Sequence, residues 1–109
     1  MSHHPNHGFA ARTSRRNGAW RLALSGELDL ATMGELARAV DRRGAIDGRP
    51  VVLDVSGLTF VDVSGVRALI DACERLTGAG HDVTVAGVDA ALGRLLEIIQ
   101  ADRRLPLEA

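Results

Sequence analysis

Apolar and polar positions change period several times along the chain, and each change marks an element. Residues 9–15 and 19–25 are short strand-like segments on either side of Asn17-Gly18, a dipeptide that accepts the positive φ angles of a tight hairpin turn. In the second segment Trp20, Leu22 and Leu24 alternate with Arg21, Ala23 and Ser25, which predicts one apolar face and one polar or small face. Leu30, Met33, Leu36, Ala37 and Val40 then recur at helical spacing, with Glu35, Arg38, Asp41 and Arg42 opposite them. Thr32 and Glu35 have the spacing of a capping box at the start of this helix, and Gly44 or Gly48 ends it.

Residues 51–55, Val-Val-Leu-Asp-Val, form a β-branched run after Pro50, the pattern of a central strand buried on both faces and paired in parallel. A connection over residues 56–63 leads to a second helix over about residues 64–76, whose stripe is Val66, Leu69, Ile70, Cys73 and Leu76. Gly78 and Gly80 close it. Residues 83–86 are another short strand, Asp89 caps a third helix bearing Leu92, Leu95, Leu96 and Ile99, and residues 105–107 form a final edge segment. Hairpin, helix, strand, helix, strand, helix is the order of a small α/β domain with helices packed on a mixed sheet.

Composition narrows the functional classes. The 109 residues suffice for one domain with its own core. Thirteen basic against fourteen acidic residues leave a formal charge of −1, which argues against direct binding of nucleic acid. No apolar stretch has the length of a membrane span, and residues 1–8, with three of the four histidines, are expected to form a flexible tail without the apolar stretch of a signal peptide. A single cysteine excludes an internal disulfide and fits a cytoplasmic location.

Catalytic ingredients are sparse, and the chain is expected not to be an enzyme. All thirteen basic residues are arginine, so Walker-lysine and Schiff-base chemistry are absent. His81 sits in a polar Gly-His-Asp connection and is expected to be solvated. His3, His4 and His7 lack neighbouring carboxylates or thiolates for a metal site, Cys73 falls on an apolar stripe, and no cofactor is implied. Residues 60–66, Phe-Val-Asp-Val-Ser-Gly-Val, are more informative, because they deliver Asp62 and Ser64 together where a helix begins. Ser64 is a favoured N-cap type, and a hydroxyl at a helix N-terminus is also well placed to carry phosphate, since free amides and the helix dipole stabilise an anion there.

The segments Gly-Glu-Leu-Asp-Leu-Ala-Thr at 26–32, Val-Val-Leu-Asp-Val-Ser-Gly-Leu at 51–58 and Phe-Val-Asp-Val-Ser-Gly at 60–65 together resemble the STAS domain family, most of all its stand-alone anti-sigma factor antagonists. The resemblance spans residues 9–107 and implies a STAS domain over residues 9–109. It also implies that the chain binds an anti-sigma factor with serine kinase activity and thereby frees a sigma factor. Phosphorylation would switch this off, and a serine phosphatase would reverse it.

The family's phosphorylated residue precedes the glycine of its Asp-Ser-[Ser/Thr]-Gly motif, which places it on Ser64, with Gly65 after it and Asp62 and Asp29 as its surroundings. Val63 departs from the motif, which often has Ser or Thr there, and leaves Ser64 as the sole acceptor. The chain also stops at Ala109, where many relatives continue into one more helix. A second implied role is an interaction module of a transporter or stress-signalling complex, with Ser64 as a contact or cap.

Overall fold

The computed structural model describes residues 8–43 and 48–108. The elements are β1 (Phe9–Arg16), β2 (Ala19–Leu28), α1 (Met33–Arg43), β3 (Val51–Val61), α2 (Val63–Gly78), β4 (Val83–Ala86) and α3 (Ala90–Ile98). They form a mixed sheet in the order β1-β2-β3-β4, with β1 antiparallel to β2 and the other pairs parallel. The expected α/β order and parallel β3 are therefore present.

Asn17 and Gly18 turn the opening hairpin at φ 54° and 79°, the left-handed pair that a two-residue loop between twisted strands requires. Gly8 already joins the sheet margin, its carbonyl accepting the Glu27 N–H at 3.2 Å, while the rest of the expected tail, with His3, His4 and His7, lies outside the described residues.

Register explains which face is buried. Trp20 pairs with Val51 and Leu22 with Leu53, and these in turn pair with Val83 and Val85. Their side chains share one face, and one core cluster joins this face to Leu36 and Val40 of α1, Leu69 and Leu76 of α2, and Leu96 of α3. Among the described residues no helix covers the opposite face, contrary to the double burial expected of residues 51–55. Val52 and Asp54 are only half-buried there, and Asp54 Oδ2 accepts a bond from Arg21 Nη2 at 2.8 Å. Burial acts to raise the Asp54 pKa, but the bonds from Ser56 and Arg21 outweigh it and hold the carboxyl below its usual value.

Several boundaries differ from the expected ones. β3 continues through the supposed connection to Val61, because Ser56-Gly57 is not a turn. β3 carries extra residues here, its register against β2 shifting between Ala23 and Ser25 and again between Gly26 and Glu27, and a Cβ on Gly57 would stand 2.7 Å from the Leu24 carbonyl oxygen, so glycine is what lets the two backbones approach. The capping box does not form. Thr32 Oγ1 turns back to donate to the Glu27 carbonyl at 2.7 Å and accept from the Asp29 N–H at 3.0 Å.

Leu30, placed on the apolar stripe, precedes α1 and is exposed. α1 ends at Arg43, so a stop at Gly44 lies outside the described residues. His81 is buried at 4% exposure rather than solvated, its Nδ1–H donating to the Arg49 carbonyl at 2.7 Å.

The remaining ends follow the expected chemistry. α2 runs to Gly78 and closes with Gly80 at φ 98°; the N–H groups of Gly80 and His81 reach the carbonyls of Thr77 and Leu76, both at 3.0 Å. Asp89 caps α3 by accepting the Leu92 N–H at 2.8 Å. The last segment pairs as a single parallel bridge, Leu107 with Val85, on the margin of β4.

Candidate functional site

The site lies where β2 and β3 end side by side. Leu28 pairs with Val61, so the next residues on both strands, Asp29 and Asp62, leave the same edge of the sheet. Asp29 Oδ1 accepts the N–H groups of Ala31 and Thr32 at 3.0 and 3.1 Å and so shapes the turn into α1. Asp62 is the N-cap of α2: with extended φ/ψ it accepts the Gly65 N–H on Oδ1 at 2.8 Å, and its own N–H points to the Leu28 carbonyl at 3.4 Å.

This corrects the capping role considered for Ser64. Val63 is the first helical residue and Ser64 the second, so the Ser64 hydroxyl does not close the helix. The first intrahelical bond runs from the Val66 N–H to the Asp62 carbonyl at 2.9 Å. The N–H groups of Val63 and Ser64 precede it, at the positive end of the helix dipole.

Gly65 has a structural reason as well as a place in the motif. A Cβ there would lie 2.2 Å from the Leu28 carbonyl oxygen and 2.9 Å from Val61 Cγ1. Only glycine lets the first turn of α2 rest directly on the ends of β2 and β3. This contact carries the half-buried Ser64 to the edge from which Asp29 leaves, so all five expected residues, Asp29, Asp62, Val63, Ser64 and Gly65, belong to one corner of the domain.

Apolar side chains stand open around that corner. Leu30 is 70% exposed, Met33 39% and Val63 43%. Leu30 and Met33 fall on the expected apolar stripe, but Leu30 lies in the Asp29–Thr32 turn before α1 and Met33 is the first residue of the helix, and both remain exposed. Met33 also borders a groove of about 280 Å³ between α1 and α2, lined by Gly34, Ala37, Arg67, Ala68 and Asp71 among others. Charge flanked by open aliphatic groups suits contact with a protein partner. Among the described residues no group of His, Cys, Asp and Glu is arranged to hold a metal ion, and no helix is long and apolar enough to cross a membrane. Cys73 is buried and its thiol pKa is pushed up to about 12, first by burial and then by the Glu74 charge.

Comparison with known proteins agrees with this architecture. An anti-sigma factor antagonist from Mycobacterium paratuberculosis superposes with a TM-score of 0.77 at 25% identity, over 95% of this chain and 87% of that one. The anti-sigma factor antagonist SpoIIAA in its unphosphorylated form gives 0.64 at 15% identity, over 92% and 89%. The STAS fold also occurs inside larger proteins: the murine anion transporter Solute Carrier 26 family member A9 gives 0.68 at 16% identity, covering 93% of this chain and 20% of that one. Residues 11–108 match the family described as Mlab, STAS domain, and the chain belongs to the STAS domain family.

Proposed function

We propose that this chain is a cytoplasmic anti-sigma factor antagonist with no catalytic activity of its own. Unphosphorylated, it binds an anti-sigma factor that is also a serine kinase, and so frees the sigma factor. The kinase transfers a phosphoryl group to Ser64 Oγ and ends the interaction, and a serine phosphatase restores it. The observation that carries this proposal is the placement of Ser64: half-buried in the first turn of α2, beside two carboxylate-bearing strand ends and among the open side chains of Leu30, Met33 and Val63. The likeness to the mycobacterial antagonist over nearly the full length of both chains supports it.

Charge supplies the switch. A phosphoserine adds about −1.5 to −2 charges at neutral pH. At an effective dielectric near 20, each unit repulsion across about 7 Å costs on the order of 2 kcal/mol, less after salt screening. About 1.4 kcal/mol is enough for a tenfold change in affinity, so release needs no change of fold. Asp29 and Asp62 are already engaged by backbone N–H groups, and the added phosphate would make an acidic corner more acidic.

The test is affinity capture from the native lysate with wild type, Ser64→Ala and Ser64→Asp, identifying retained proteins and the wild-type phosphosite by mass spectrometry. An anti-sigma kinase retained by the Ala form and lost by the Asp form is the expected result. Retention of the same transporter or scaffold subunit by all three forms would overturn it in favour of an interaction module in which Ser64 is a contact.

A further inference from the structure

β3 is eleven residues long and β4 only four, and their ladder ends at the pair Asp54–Ala86. Gly87 then turns the chain away at φ 82°, close enough to Ser56 that a Cβ would stand 2.8 Å from the Ser56 Cβ. Beyond that point residues 56–61 of β3 carry no strand on their outer edge among the described residues.

These six residues, Ser-Gly-Leu-Thr-Phe-Val, contain no charge and no proline, and Phe60 is 50% exposed. Exposed strand edges are normally protected by charge, proline, brevity or bulges, and this one has only the register shifts that set extra β3 residues against β2. Beside it lies a groove of about 340 Å³, with Val55, Leu58 and Phe60 on the strand side, Leu92 and Leu95 on the α3 side, and Asp89 as its one charged residue among the described residues.

We propose that this edge is a strand-addition site for an extended segment of a partner protein, with apolar side chains at alternate positions entering the groove and a basic residue meeting Asp89. Strand addition draws its affinity from main-chain bonds and its selectivity from alternate side chains, and the edge and the groove supply one each. Six residues at about 3.3 Å each give an edge about 20 Å long. A second copy of this chain fits less well. In an antiparallel two-fold pairing of residues 56–61, each copy's β4 would fall against the other's Asp62 and the start of α2.

The probe is the six-residue peptide acetyl-Arg-Val-Thr-Val-Thr-Val-amide, titrated into the 15N-labelled full chain, together with two versions N-methylated at one or the other alternate set of residues. The parent peptide is expected to shift the amides of residues 56–61 and α3, with a Kd of about 0.1–1 mM because a linear peptide bears its own ordering cost. At about 1 mM peptide it should also slow hydrogen exchange at residues 56–61 by about two- to tenfold. One N-methylated version should lose binding and the other keep it, since only alternate N–H groups face the protein. Asp89→Asn, which retains a good N-cap residue, should bind the Arg peptide and a Glu-for-Arg version equally, whereas wild type prefers Arg. No shifts at about 1 mM peptide, shifts centred elsewhere, or equal binding by both methylated peptides would overturn the proposal. So would concentration-dependent shifts at residues 56–61 without peptide, which would assign the edge to a second copy.

Discussion

Adding one methyl group at Gly65 tests the whole corner, because that residue holds α2 against the sheet. In Gly65→Ala the new Cβ would sit 2.2 Å from the Leu28 carbonyl oxygen and 2.9 Å from the Leu28 carbonyl carbon, backbone atoms that no side-chain rotation can clear. Normal contact requires the first turn of α2 to retreat by about 1 Å, which strains the Asp62 cap and its bond to Leu28. Overpacking of this kind costs about 1–3 kcal/mol, and a weakened cap about 1 kcal/mol. The better helix propensity of alanine returns up to about 1 kcal/mol. The net expectation is a loss of about 1–4 kcal/mol.

Over 109 residues, an unfolding entropy of about 2.1 cal/mol/K per residue makes this a fall in Tm of about 4–17 °C. The control is Gly93→Ala inside α3, where the nearest neighbour of a new Cβ is Val88 Cγ1 at 3.9 Å. With no clash, propensity alone should stabilise it by about 0.5–1 kcal/mol. Thermal unfolding followed by circular dichroism reads both variants. A Gly65→Ala protein as stable as wild type would refute the reasoning, because α2 would then not rest on the Leu28 carbonyl.

Four other outcomes follow from the same geometry. Asp62→Ala should lose about 0.5–2 kcal/mol in urea unfolding, and Asp62→Asn much less, since asparagine also caps. Gln100 closes α3 at φ 58°, the left-handed region that costs a side chain about 1–2 kcal/mol, so Gln100→Gly should raise stability by about 0.5–1 kcal/mol after glycine's greater unfolded-state freedom is subtracted. Cys73, neutral and buried at pH 8, should react with a thiol reagent only as fast as the domain opens, and labelling at the rate of a free thiol would contradict its placement. The depressed pKa of Asp54 makes its contribution present above the ordinary carboxylate value and lost as pH falls through the lower folded one; Asp54→Asn should therefore flatten the acid limb of a stability-versus-pH curve.

The parts of the fold visible in the sequence are those set by local periodicity. Alternation in β2, the left-handed Asn17-Gly18 pair and the stripe of α2 are each decided within a few residues, and each appears as expected. The misplacements are those decided by distant neighbours. Ser56-Gly57 has turn chemistry, yet the pair lies within β3, because Gly57 is needed where the backbone of Leu24 comes close. His81 sits among polar residues and is nonetheless buried against the Arg49 carbonyl, a contact across 32 positions.

The site shows the same division. Asp62 and Ser64 are both good capping residues two positions apart, so local chemistry cannot choose between them. The choice is made by Leu28, thirty-odd residues earlier, whose carbonyl oxygen leaves room for a glycine and nothing larger. Once Gly65 must face Leu28, Asp62 is left as the cap, and Ser64 is released from helix closure. A serine that is not needed to hold the helix can be phosphorylated without opening it, which is the property the proposed switch requires.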